Sequence, residues 1–146
     1  MWHVQFWKKK MISYNHKVKV YYRDVDQMGI VYHSRYLEYF EESRTELLKS
    51  IDLSVTKIED TGIMLPVISS HCEYFKGAHF EQDLIIKSSI SIFPKAKLDI
   101  DYSILCAKSS IIHVKGYTTH AFVNKNNKPV RVPKMISENF VRNGLI

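Results

Sequence analysis

Residues 17–51, KVKVYYRDVDQMGIVYHSRYLEYFEESRTELLKSI, change period part-way along. From Lys17 to Asp24 the chain alternates and carries β-formers, which predicts a strand over residues 17–24. A short segment with a glycine at Gly29 follows. Residues 34–51 then hold no Gly or Pro and place Tyr36, Phe40, Ser43, Leu47 and Ile51 at steps of three and four. That spacing predicts an amphipathic helix, with Ser34 as its N-cap. Strand, glycine turn and helix form one continuous unit.

Working outward, residues 52–61 are polar and leave room for one short helix before Gly62. After that the period becomes that of strands. Residues 63–75, 84–93, 98–106 and 111–123 are rich in Ile, Val, Tyr, Phe and Thr, and Gly, Pro, Asn or charged residues separate them. Leu98, Ile100, Tyr102, Ile104 and Cys106 share one face, with Asp99, Asp101 and Ser103 on the other, as in an antiparallel sheet with one wet face. Pro133 precedes a final helix over residues 134–142. The gaps between strands are too short for crossover helices, so the sheet is antiparallel. One helix cannot cover a flat five-stranded sheet; a curled sheet around a single central helix buries it economically. The predicted class is therefore α+β. The helix also carries Glu38, Glu41, Glu42 and Glu46, so part of it faces solvent, a cleft or a partner chain.

The 146 residues suit one domain, 1–146, with residues 1–14 read as an N-terminal extension of poor order. A chain of this size buries roughly 70% of its unfolded surface and needs no disulfide or structural metal. A hydrophobic share of 45% and a charged share of 25% exclude a disordered chain. Two Cys without a Cys-x-x-Cys exclude a disulfide scaffold and a zinc ribbon, and suit a reducing, cytoplasmic compartment. In residues 1–10 the lysines follow the apolar residues, the reverse of a secretory signal. Met11 offers an alternative start, in which case those ten residues are not native structure. No stretch approaches the ~18 apolar residues of a membrane span, so stable membrane insertion is not expected. The net charge of +6 suits a polyanionic partner or a phosphorylated ligand. The lysines are scattered and no nucleic-acid motif is present, which argues against nucleic acid.

Residues 22–45 contain Asp-x-Asp-x-x-Gly-x-Val-Tyr-His-x-x-Tyr, from Asp24 to Tyr36, then a helix with Arg44-Thr45-Glu46; Gly-Ile-Met-Leu-Pro-Val begins at Gly62. Over roughly residues 15–135 this resembles the 4-hydroxybenzoyl-CoA thioesterase-like hotdog family, and within it the acyl-CoA thioesterase branch associated with the Tol–Pal envelope system. The resemblance implies a hotdog fold, assembled as a homodimer or homotetramer in which two sheets join. It implies hydrolysis of acyl-CoA thioesters with neither metal nor organic cofactor. It also implies that Asp26 is the catalytic carboxylate and that the His33 backbone N–H binds the thioester oxygen. Met28 departs from the pattern, standing where many relatives have a small residue.

The chemistry is coherent on its own terms. A thioester carbonyl needs an attacking oxygen and a stabiliser for the oxyanion. A carboxylate either activates water or attacks directly. Amides at a helix N-terminus stabilise the developing charge. Gly29 lets the backbone turn and approach a ligand closely. Asp24 is read as structural or solvated. Tyr32 and Tyr36 either line an acyl pocket or belong to the core, and Arg131, with Lys134, is a candidate contact for CoA phosphates. Glu41 and Glu42 are the alternative carboxylates, since another hotdog branch uses a helix acid. His71, Cys72 and Cys106 lack metal-ligand company and are read as strand residues, the two cysteines inert. His113 and His120 fall on opposite strand faces and so form no metal site. Two other functions compete with hydrolysis. One is a non-catalytic acyl-CoA-binding or protein-interaction module. The other is a dehydratase or hydratase, disfavoured because Asp26 and His33 lack the Asp-x4-His spacing.

Overall fold

The computed structural model describes residues 10–145. The five strands are β1 (Ile12–Lys19), β2 (Val67–Tyr74), β3 (Asp83–Ile90), β4 (Lys97–Cys106) and β5 (Ile112–Ala121). The helices are α1 (Arg35–Ser50), α2 (Val55–Asp60) and α3 (Lys134–Arg142). The strands form one sheet in the order β1-β3-β4-β5-β2, every neighbour antiparallel. This is the expected curled sheet with α1 against its concave face.

Two expectations at the N-terminal end need correction. The first strand is Ile12–Lys19, and Tyr22–Asp24 is a 3₁₀ turn rather than strand. The Tyr21 N–H donates to the Asp24 carboxylate at 2.8 Å and the Asp24 N–H to the Tyr21 carbonyl at 2.9 Å, which closes the turn. Residues 12–14, read as extension, belong to the strand: Ile12 pairs with Ile90 and is buried. Residues 1–9 lie outside the described ones.

The long helix was expected over residues 34–51 and runs from Arg35 to Ser50. Ser34 occupies the cap position, but its side chain makes no capping hydrogen bond. Ser54 does cap α2, accepting from the Lys57 N–H at 3.2 Å. Tyr36, Tyr39, Phe40, Ser43, Leu47 and Leu48 form the buried stripe of α1. The stripe meets Ile86, Ile100, Tyr102, Ile104 and Val114, all buried. The Phe40 ring stacks on Tyr102 with centroids 4.2 Å apart and planes 7° from parallel. Gly116 lies under that ring: a Cβ there would stand 2.8 Å from Phe40 and collide with the His71 carbonyl of the neighbouring strand. Since a backbone group cannot swing aside, we expect Gly116→Ala to cost about 3 kcal/mol, measurable by urea unfolding.

At the far end, α3 matches its predicted range, with Pro133 before it. Its Asn139 side chain donates to the Ile51 carbonyl at 2.6 Å, satisfying an acceptor just past α1. Strand β2 is an edge, and seven of its eight residues are exposed. It presents Val67, Ile68 and Tyr74 to solvent, and among the described residues no strand pairs with its outer N–H and C=O groups. An edge of this kind is a template for pairing.

Candidate active site

The site begins where β1 ends. After the 3₁₀ turn, Val25 bridges Val31, and the Asp26 N–H donates to the Ile30 carbonyl at 2.9 Å. The loop between them is tight. The Gly29 N–H returns to the Asp26 carbonyl at 3.0 Å, and Gly29 has φ +78°, a left-handed conformation that glycine adopts without a Cβ penalty. The Met28 N–H donates to Asp26 Oδ1 at 2.7 Å. Among the described residues that is the only hydrogen bond on the Asp26 carboxylate, so Oδ2 is available. Asp26 thus sits half-buried at the throat of a fixed turn.

The chain then runs back. The Val31 N–H donates to the Ala78 carbonyl and the Tyr32 N–H to the Asp24 carbonyl, both at 2.9 Å. The Arg35 N–H caps onto the Tyr32 carbonyl at 2.9 Å and α1 begins. His33 therefore occupies the turn just before the helix, where backbone amides lack intrahelical acceptors. No hydrogen bond joins the His33 N–H to another described residue. Its carbonyl accepts from the Tyr74 hydroxyl at 3.3 Å.

Asp26, His33 and Tyr36 line one open cleft of about 310 Å³, completed by Tyr74, Lys76 and Gly77. The last three come from the end of β2 and the loop after it. Sequence reasoning treated Lys76-Gly77 only as a breaker, and no local signal ties it to Asp26 fifty residues earlier. Gly77 leaves no room for a side chain: a Cβ would meet Ile30 at 2.9 Å.

The other candidates separate. Tyr36 is buried; its hydroxyl accepts from the Ala78 N–H at 3.4 Å, and burial pushes its pKa up. It is a core residue that reaches the cleft wall. Tyr32 is exposed and packs on the His33 ring, 4.3 Å between centroids, outside the cleft lining. Met28 is 81% exposed and does not narrow the cleft. Arg131 is exposed and follows the Ala121 end of β5, while the cleft lies at the Val114 end, roughly 25 Å of strand away. Within one chain it is not part of the site. Glu41 and Glu42 are exposed on α1, outside the cleft lining.

His113 and His120 do not converge. His113 donates from Nδ1 to the Lys76 carbonyl and accepts at Nε2 from the Gln82 side-chain amide, both at 2.8 Å, whereas His120 donates to the Leu65 carbonyl at 3.1 Å and accepts from the Thr118 hydroxyl at 2.9 Å. Among the described residues no group of three metal-ligating side chains is present. Cys106 requires a correction. It ends β4, but Ser109, Gln82 and the Lys108 backbone hold its thiolate by hydrogen bonds and pull its pKa down to about 6. Burial pushes Cys72 the other way. At pH 7 we expect iodoacetamide to modify Cys106 at least ~10-fold faster than Cys72, read by peptide mass spectrometry, with the Cys106 rate falling below pH 6.

A second, larger cavity of about 500 Å³ lies at the opposite end of α1. Leu48, Ile58, Leu65, Leu98 and Ile100 make it mainly apolar, and Arg44 and His120 add polar groups.

The sequence profile of the thioesterase-like superfamily matches residues 20–140. The chain belongs to this superfamily. It is 31% identical over 125 residues to a putative esterase of Aquifex aeolicus, covering 86% of this chain and 94% of that one. It is 28% identical to the acyl-CoA thioesterase YbgC of Haemophilus influenzae, covering 88% and 94%. Among solved structures it is similar to a probable thioesterase from Bartonella henselae, with 29% identity, a TM-score of 0.75 and coverage of 83% and 99%. The hotdog fold extends to a 4-hydroxybenzoyl-CoA thioesterase, with a TM-score of 0.79 and coverage of 88% and 98% at 14% identity. No helix among the described residues is long and apolar enough to cross a membrane.

Proposed function

We propose that this superfamily member hydrolyses acyl-CoA thioesters to a free acid and CoA. The observation that carries the reading is the pairing, in one cleft, of a half-buried Asp26 carboxylate with the unengaged His33 N–H at the mouth of α1. The carbonyl carbon lies between them in this scheme. The His33 N–H, aided by the positive end of α1, takes the carbonyl oxygen as charge develops. Asp26 Oδ2 either removes a proton from water or attacks the carbonyl itself; CoA thiolate leaves in both cases. Tyr74, by bonding the His33 carbonyl, holds the peptide that bears the donor. Lys76 supplies positive charge at the cleft for the phosphates of CoA.

The working unit in this reading is a homodimer or larger, joined through β2. Antiparallel pairing of β2 with its copy puts the Val67 end of one strand beside the Tyr74 end of the other. The apolar cavity, which includes Leu65 and Pro66 next to Val67, then adjoins the partner's Asp26 cleft. That gives an acyl group a place to go, and it brings the partner subunit's Arg131 to the same end as Asp26. The Tol–Pal-associated branch is the context we favour, on the likeness to YbgC. Both cysteines are free, in keeping with a cytoplasmic setting.

The test is a panel of short, long and aromatic acyl-CoAs, followed by thiol release with a thiol reagent. Turnover of at least one member is expected; binding without release across the panel would instead support a non-catalytic acyl-CoA-binding module. Light scattering at micromolar concentration is expected to return a dimer or tetramer, and a monomer would overturn the shared site.

A further inference from the structure

We propose that Asp24 is a positioning residue for catalysis, fastening the Asp26 turn and the His33 amide to one another. The proposal rests on the assignment of those two groups made above. Asp24 is the more buried acid of the pair: its side chain is 5% exposed. A carboxylate is placed there at a desolvation cost and needs partners. Three of its contacts fasten the site. One carboxylate oxygen accepts the Tyr21 N–H at 2.8 Å, before the catalytic turn. The other meets Arg35 Nε at 3.0 Å, on the first residue of α1. Its own carbonyl accepts the Tyr32 N–H at 2.9 Å, on the residue that precedes His33.

These contacts bracket the site. Asp26 lies two residues after Asp24, and His33 lies between Tyr32 and Arg35, both of which Asp24 holds. The distance from the attacking oxygen to the oxyanion donor is therefore set through Asp24, which touches neither substrate nor reacting atoms. Arg35 is itself steadied by Glu38 at 2.7 Å, so the ion pair is anchored to the helix and not to a free side chain. Beneath it lies the buried hydroxyl of Tyr39. Burial and the neighbouring Asp24 carboxylate both push the Tyr39 pKa up.

The experiment compares Asp24→Asn, Arg35→Lys, Arg35→Gln and the double variant Asp24→Asn/Arg35→Gln with wild type and Asp26→Asn. Each is checked by circular dichroism and oligomer size, and assayed well below its melting temperature. Asp24→Asn is expected to lose ~10–100-fold in kcat with KM within about threefold, the signature of a misplaced transition-state contact. The double variant should be no slower than Asp24→Asn alone, because both remove the same fastening. A purely structural Asp24 would lower the melting temperature and leave kcat of the folded protein within about threefold, which would overturn the proposal. Multiplying losses in the double variant would overturn the role of Arg35. If Asp24→Asn does not fold, Arg35→Lys carries the test: it keeps the charge but loses the Nε donor, and should lower kcat by ~10-fold at unchanged KM. An unchanged kcat there overturns the proposal as well. Inactive Asp26→Asn beside fully active Asp24→Asn defeats positioning alone; fully active Asp26→Asn defeats the catalytic assignment beneath it.

Discussion

Replacing Asp26 by Asn is expected to reduce turnover by roughly two to four orders of magnitude while leaving the fold intact. The exchange is nearly isosteric. The Asn side-chain oxygen can still accept the Met28 N–H, which now engages Oδ1 at 2.7 Å, so the turn closed by Gly29 persists. What disappears is the carboxylate oxygen Oδ2 that the proposed mechanism uses as proton acceptor or nucleophile. Substrate affinity should change little, because the cleft keeps its shape, and the loss should fall on kcat. The measurement is thiol release under saturating acyl-CoA, with circular dichroism and oligomer size as controls. Turnover near wild type would move the catalytic carboxylate elsewhere; Glu41, which lines the apolar cavity, and the exposed Glu42 are next in line.

The second large effect separates a side chain from a backbone. His33→Ala keeps the N–H and should cost tenfold or less, in roughly the range of lost packing against Tyr32 and Tyr74. His33→Pro removes the N–H and should cost about 10²–10³ in turnover, the magnitude of a lost oxyanion donor. Proline is tolerable there in other respects: the position precedes the first residue of α1, and no hydrogen bond to another described residue is sacrificed. A folded His33→Ala as slow as Asp26→Asn would mean that the imidazole takes part, and the amide assignment would fall.

The fold was legible in the sequence because its signals are periodic and local. Leu98, Ile100, Tyr102 and Ile104 alternate inward as expected and are all buried. The α1 stripe fell where steps of three and four put it. The error over residues 17–24 has a plain cause. Tyr21, Tyr22 and Val25 are β-formers, but the Asp24 side chain bonds the Tyr21 N–H and turns the chain, a short-range competition that propensity does not register. Asp26, Gly29 and His33 could be read as a group because they lie within one turn. Tyr74, Lys76 and Gly77 could not, since strand order β4-β5-β2, and not sequence distance, carries them there. Arg131 shows the same thing in reverse: within one chain it lies at the other end of the sheet from Asp26, a separation that only the strand order reveals. The Cys106 thiolate depends on hydrogen bonds from a hairpin turn and on Gln82 of a different connection, invisible to any reading of the cysteine alone.

The seat of Phe40 over Gly116 has a consequence for how this enzyme tolerates change. Phe40 lies seven residues beyond His33, about 10 Å along the helix axis. The helix thus links the ring seated over Gly116 to the turn that bears His33, the oxyanion donor of the proposed mechanism. In that mechanism a substitution that lifts the ring from its seat is expected to shift the donor relative to the carbonyl as well as to cost stability. On that reading, drift at this seat is filtered by rate as well as by stability. The hydrophobic centre of the sheet, remote from the thioester, is as much a part of its tuning as the turn that holds Asp26.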